Sequence, residues 1–345
     1  MTQSSNVRGN TVHNMNHGLC SAGLASPDRE LGLSRIANGL PRSEIPLNCC
    51  SKSDHLIEAR MRGPSMGRRQ NALALAPRGT SEEHVRQAPS SASPSPLVIS
   101  MSLQDKVVLV TGGSKGIGRA IAIGAAAQGA KVVINYSRDS SAADEVVKTI
   151  GSDRAISVRA DNSNTSDLQR LVDTTVSHFG RIDVLIPNAA IMYMRTVENT
   201  SEEDFDAMFN TNVKGPYFLV QKSLPHMTEG GRIIFLSSTV LVTSNLPPPY
   251  LLYASTKGSI EQMTKYMAKD LASKGITINA IAPGPIGTEL FYKGKTDEMI
   301  QRASASSPFN RLGTPEEVAS VALFLSSKES SWVTGQIIRV NGGTA

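Results

Sequence analysis

A phenol and an ammonium stand four residues apart in Tyr253-Ala254-Ser255-Thr256-Lys257. On a helix, positions i and i+4 share a face, so both groups can enter one site. A free tyrosine titrates near a pH of about 10 and is a poor acid–base catalyst at neutral pH. A neighbouring lysine cation favours phenolate and is expected to lower that pKa, making the pair a candidate proton-transfer centre. The spacing alone is common on helices, so its meaning depends on what the chain places around it. A hydroxyl donor is at hand in Ser237-Ser238, at the end of an apolar run.

The elements that would position this pair begin at residue 106. Lys106-Val-Val-Leu-Val-Thr111 is a short β-branched apolar run and predicts a buried strand. Gly112-Gly-Ser-Lys-Gly-Ile-Gly118 follows at once, then a small-residue helix over 119–128. Further strands are expected at 131–136, 155–160, 182–187, 232–236, 276–281 and 336–340, with helices at 142–150, 166–179, 203–227, 251–273 and 315–326. This alternation implies α/β architecture: one Rossmann-type, doubly wound parallel sheet of about seven strands with helices on both faces. On the 251–273 helix, Tyr253, Lys257, Ile260, Met267 and Leu271 fall on one broad face, which should lie against the sheet. The helix N-terminus adds positive potential that also favours phenolate.

Glycines 112, 116 and 118 occupy the turn between the first strand and its helix. Without a Cβ the backbone can approach a pyrophosphate, and the helix N-terminus favours its charge. A carboxylate at the end of the second strand would bind the ribose 2′-hydroxyl of NAD. Here that place holds Asn135-Tyr136-Ser137-Arg138, with no acid before Asp139. Lys115 and Arg138 are two cations suited to a 2′-phosphate, so the expected cofactor is NADP(H).

The first 100 residues differ from the rest. They hold Cys20, Cys49 and Cys50, contain no Trp, Tyr or Phe, and show no sustained apolar period. They are expected to form a disordered extension (1–100) ahead of one folded domain (101–345). Of the formal net charge of +5, residues 1–100 contribute +4, and the near-neutral remainder offers no case for nucleic acid. Neither a membrane-spanning run nor a secretory leader is recognisable. A cytoplasmic location fits the cysteine-free domain; the acid-poor N-terminus leaves organelle import as a lesser alternative. No histidine spacing suggests a metal.

Thr111-Gly112-Gly113-Ser114-Lys115-Gly116-Ile117-Gly118, Asn188-Ala189-Ala190, Asn212, Ser238 and Tyr253-x-x-x-Lys257 resemble, in order and spacing, the motifs of the short-chain dehydrogenase/reductase family. Pro283-Gly284-Pro285-Ile286-Gly287-Thr288 and the terminal Asn341-Gly342-Gly343 continue the likeness, which covers about residues 103–345. Pro187 and Ala190 depart from the family's usual Asn-Asn-Ala-Gly.

The resemblance implies roles. Tyr253 would exchange a proton with the substrate oxygen, Lys257 would lower its pKa and bond the nicotinamide ribose, and Ser238 would orient the carbonyl. Asn212 would hold a relay water. Gly112, Ser114, Lys115, Ile117, Gly118, Ser137, Arg138, Asp161, Asn188, Ile286 and Thr288 would contact the cofactor: Asp161 at the adenine, Asn188 at the adenosine ribose, Thr288 at the carboxamide. A homodimer or homotetramer is implied too. The likeness extends equally to the 3-oxoacyl-carrier-protein-reductase-like and polyol-dehydrogenase-like branches.

The segment 286–313 is the expected substrate lid. Its Leu290-Phe291-Tyr292 suits an aromatic, polyketide or acyl ketone as small-molecule partner, or simply packs the lid onto the core. The expected activity is NADPH-dependent carbonyl reduction. Alternatives are an NAD-linked alcohol or sugar dehydrogenase and a non-catalytic cofactor sensor.

Overall fold

A computed structural model describes residues 101–345; the expectations for residues 1–100 lie outside the described residues. Seven parallel strands form one sheet: β1 (Val107–Val110), β2 (Lys131–Tyr136), β3 (Ala155–Arg159), β4 (Val184–Ile186), β5 (Arg232–Leu236), β6 (Thr277–Pro283) and β7 (Ile337–Val340). Their spatial order is β3-β2-β1-β4-β5-β6-β7. The order reverses direction between β1 and β4, and that switch opens a crevice beyond the strands' C-terminal ends.

Helices α1 (Gly116–Ala127), α2 (Ser140–Ile150), α3 (Thr165–Phe179), α4 (Glu202–Phe209), α5 (Gly215–Ser223) and α6 (Leu251–Asp270) follow the first five strands. After β6 come α7 (Glu289–Tyr292), α8 (Asp297–Ala305) and α9 (Pro315–Ser326). Alternate strand side chains enter opposite layers. Val108, Val110, Val132, Ile134 and Ile281 pack with Ile121, Ala125, Val318 and Ala322 on one face. Leu109, Val133, Leu185, Phe235 and Ile278 pack with Leu168, Leu171, Leu219 and Ile260 on the other. Both faces are dry, which is why the strands are continuous apolar runs rather than alternating ones.

Two segments gain detail that the sequence left open. The helices expected over 203–227 are α4 and α5, joined by a π-turn at Asn210–Lys214, and a 3₁₀ turn at Leu224–His226 ends the segment. The turn's reason is visible at Asn212, which is 1% exposed and whose side chain is engaged outside its own helix. The lid segment, for which no elements were drawn from sequence, contains α7 and α8, each started by a threonine cap, Thr288 and Thr296. Among the described residues no helix is long and apolar enough to cross a membrane.

Candidate active site

Helix α6 carries Tyr253 and Lys257 on its first turns, after a 3₁₀ turn at Pro248–Tyr250 that the proline run rigidifies. Lys257, Ile260, Ala268 and Leu271 are buried, so the face drawn from the sequence is the one that meets the sheet. The Lys257 ammonium donates to the Leu236 carbonyl at 2.7 Å, which ties α6 to the end of β5. Its Nζ stands 5.6 Å from the centroid of the Tyr253 ring.

Burial governs both protons. It pushes the Lys257 amine down to about 8. It pushes the Tyr253 phenol up to about 12, against the pull of a hydrogen bond from Ser238 and with a further upward push from Tyr250. The expected lowering of the Tyr253 pKa by Lys257 is therefore reversed in this structure. Desolvation opposes phenolate more strongly than one hydroxyl favours it, and the lysine's hydrogen bond is spent on a carbonyl.

Of the two serines after β5, Ser238 is the one beside the phenol. Ser237 turns the other way and donates to Glu261 Oε1 on α6 at 2.9 Å. Ser238, Tyr253 and Lys257 share the wall of a cavity of about 550 Å³ with Ile117, Asn188, Ile286 and Thr288.

The glycine turn lies alongside. Gly112 and Gly116 have φ of +60° and +51°, which a side chain would strain. A Cβ on Gly118 would fall on the Gly112 carbonyl oxygen, and 2.5 Å from the Asn188 amide nitrogen. Helices α2, α3, α4, α8 and α9 each begin with a capping side chain, but α1 has none and no acid in its first turn. Its first N–H groups and their positive potential are thus unanswered by side chains, behind a turn with no room for Cβ atoms. That combination fits a pyrophosphate.

A family model described as Enoyl-(Acyl carrier protein) reductase matches residues 112–345. A versicolorin reductase of Emericella nidulans is 39% identical over 255 residues, covering 70% of this chain and 96% of the relative. Versicolorin reductase 1 of Aspergillus parasiticus is 40% identical over 255 residues, covering 70% and 97%. Among solved structures, a short-chain dehydrogenase from Burkholderia cenocepacia in complex with NADP matches with a TM-score of 0.67 at 32% identity, over 70% of this chain and 98% of that one.

The chain is a short-chain dehydrogenase/reductase.

In this dehydrogenase/reductase the other residues singled out by sequence divide into groups. Asn188 follows β4, and its amide donates to the carbonyls of Thr111 (2.8 Å) and Gly112 (3.2 Å), stitching the glycine turn to the sheet. Thr288 caps α7 at the base of the lid, and its methyl group meets the space beside Gly116. Ser114 and Lys115 lie in the turn itself. Ser137, Arg138 and Asp161 are exposed at the ends of β2 and β3, and none of the three lines the cavity around Tyr253. Lys115 is not a free cation: it pairs with Asp139 at 2.6 Å.

Asn212 does not reach Lys257 by a direct hydrogen bond in this structure. Its side chain accepts from the Ile191 N–H and donates to the Ile191 carbonyl, both at 2.9 Å. It also donates to the Thr256 hydroxyl at 3.2 Å, and that hydroxyl donates to the Tyr253 carbonyl at 2.7 Å. Asn212 thus fixes the segment after Asn188 and the turn that carries the phenol.

Four supporting residues went unrecognised in the sequence. The Thr111 hydroxyl accepts from the N–H groups of Asn188 and Ala189, each at 3.0 Å. Asn135, fully buried, accepts from the Gly112 N–H and the Asn162 amide and donates to the Ala160 carbonyl. Thr256 and Glu261 complete the set. The available signal was a polar side chain at the end of an apolar strand, in Lys-Val-Val-Ile-Asn-Tyr. Such a group is buried only with partners.

Proposed function

We propose that this short-chain dehydrogenase/reductase reduces a ketone of aromatic, polyketide or acyl type to the alcohol, with NADPH as reductant. The observation that carries the reading is the convergence of Ser238, Tyr253 and Lys257 on one cavity wall beside the glycine turn. The cofactor supplies the hydride when bound.

The chain supplies position and proton. A phenol held well above its ordinary pKa is fully protonated at neutral pH and ready to donate to an oxygen that is gaining charge. Ser238 gives a second donor for the same oxygen. Lys257 stands close enough to stabilise the phenolate left behind, and Asn212 links it to solvent through water. Gly112, Ser114, Ile117 and Gly118 hold the pyrophosphate, Asp161 and Asn188 the adenosine, and Ile286 and Thr288 the carboxamide.

At the end of β2 the residue is a buried asparagine rather than a carboxylate, and Arg138 stands exposed two residues beyond Tyr136. Asp139 offsets the charge of Lys115, so Arg138 and Ser137 carry the preference for a 2′-phosphate. The likeness to two versicolorin reductases and the NADP in the Burkholderia complex support the same reading.

The test is titration of the purified protein with NADPH and with NADH, followed by nicotinamide fluorescence, and then a panel of ketones and quinones. Tighter NADPH binding and oxidation of NADPH by some member of the panel are expected. Tighter NADH binding would overturn the cofactor assignment. Silence across the panel with NADPH bound would overturn the catalytic one in favour of a sensor.

A further inference from the structure

The cavity around Tyr253 is mostly apolar, and no Asp or Glu faces it. Three cations do: Lys257 on the floor, and Lys295 and Arg302 on the lid. Lys257 is explained by the Leu236 carbonyl and the phenol. Neither lid cation is answered by a carboxylate. The Lys295 ammonium donates to the Phe291 carbonyl at 2.7 Å and stands 4.5 Å from the centre of the Phe291 ring. Burial lowers its pKa, and no carboxylate pulls the other way. Among the described residues neither Lys295 nor Arg302 forms an ion pair.

An ammonium has three donors, and here one is used. Lys295 is half-buried against apolar walls, which makes its charge costly to leave alone and strengthens its attraction to an anion; Arg302 lines the same cavity but is exposed. Two other cations are held by carboxylates: Arg311, at the lid's far end, is clamped to Glu317 by two hydrogen bonds, and Lys115, in the glycine turn, is paired with Asp139. Lys293, also on the lid, is exposed and does not line the cavity, so what sets Lys295 and Arg302 apart is their place on an apolar wall without a carboxylate. The cavity face of α8 is Met299, Arg302, Ala303 and Ser306, spaced i, i+3, i+4 and i+7, so Arg302 is the one charge on an otherwise uncharged stripe.

We propose that the ketone substrate carries a second, anionic oxygen group, a carboxylate or an ionised phenol, which Lys295 and Arg302 receive on the lid while the ketone faces Tyr253. This rests on the carbonyl-reductase reading and names its substrate class more closely: two oxygen functions at opposite ends of an apolar frame. A site built around unpaired charge selects against analogues that lack the matching group.

Matched pairs test it. On the full chain with NADPH, 4-acetylbenzoate is compared with its methyl ester, and 4-hydroxy-3-nitroacetophenone with its methyl ether. The member of each pair that is anionic at neutral pH is expected to have the higher kcat/KM, and which anion is favoured separates carboxylate from phenolate. Lys295→Met should cut the anion-over-neutral ratio about tenfold, as for loss of one charge-assisted hydrogen bond. Lys295→Arg should restore it, and Arg302→Met should cut it less.

Binding of 2-naphthoate and of methyl 2-naphthoate to the NADPH-loaded protein gives the same comparison without turnover. Equal binding of the two, or a ratio unchanged in Lys295→Met, would overturn the proposal. So would a loss of NADPH affinity in Lys295→Met matching the loss for the acid, since the cations would then serve the cofactor. Preferential naphthoate binding that depends on Lys295, with no ketone turned over, would sustain this inference and sink the reductase reading alone.

Discussion

The glycine turn and the lid meet at Gly116 and Thr288, yet different forces hold them. The turn is fixed by backbone and by buried amides. Asn135 and Asn188 answer the Gly112 N–H and carbonyl, the Thr111 hydroxyl in turn holds the Asn188 N–H, and none of these residues has a flexible charged end. The lid is fixed at its base, where Ile286 bridges Gly313 and the Gly287 N–H donates to the Gly313 carbonyl at 3.0 Å. Between those points it consists of two short helices with Leu290, Tyr292, Met299 and Phe309 exposed. A wall made of satisfied amides has one geometry. A wall of short helices with exposed apolar and cationic side chains can change shape around a ligand. Under the proposed function, this difference would leave the cofactor to the turn and substrate choice to the lid.

Three substitutions bear on that division. The largest effect is expected at the point between the two walls. Tyr253→Phe removes the proton donor and should lower kcat by about 10²–10⁴-fold while cofactor binding persists. Retained turnover, measured by NADPH oxidation, would remove Tyr253 from the chemistry.

Next is Gly118→Ala, aimed at the rigid wall. Its Cβ would meet the Gly112 carbonyl and the Asn188 amide, both locked by hydrogen bonds. A stability loss of at least about 1–3 kcal/mol in urea unfolding, together with weakened NADPH binding, is expected. A variant with wild-type stability and affinity would show that the turn adapts as readily as the lid.

The smallest effect is a pH dependence. The Lys257 amine is near 8 when folded against an ordinary 10.5. Between those values the native state has given up a proton that the unfolded chain keeps, so stability should rise with pH across that window. The Tyr253 phenol, near 12 when folded against an ordinary 10, acts oppositely: the unfolded chain ionises first, and stability should fall from pH 10 to 12. Lys257→Met should flatten the rise between pH 8 and 10.5 in urea titrations of the protein alone. An unchanged rise would mean that the amine is better solvated than its burial implies.

Much of the fold was legible because its signals are local. Apolar runs such as Lys131–Tyr136 and Arg232–Leu236 recur as strands with nearly the same limits, and a doubly buried sheet leaves little else such runs could be. The candidate site was legible in its residue types: Tyr253, Lys257 and Ser238 do face one cavity. Of the supporting residues, Asn212 was legible only through the family resemblance and Asn135 not at all. Both are ordinary polar residues in sequence, and what distinguishes them is burial against partners 21 and 27 positions away. The helices over 203–227 were legible, with Gly215-Pro216 marking a boundary, but the π form of the turn between them depends on the buried contacts of Asn212. The direction of the Tyr253 shift was missed because a spacing of four residues records proximity to a lysine and not the loss of water around both groups.

By itself the sequence determined the order of strands and helices, the glycine turn with its missing Cβ atoms, and the identity of the groups able to move a proton. These depend on neighbours a few residues apart, where backbone geometry is fixed by covalent structure and by the helical and extended periods. The tertiary structure alone decided where the Ser237 hydroxyl goes, how deeply Tyr253 and Lys257 are withdrawn from water, and which cations of the lid line the cavity without a carboxylate. Those are matters of solvent exclusion, and exclusion arises only when β5, α6 and the lid close around a common space.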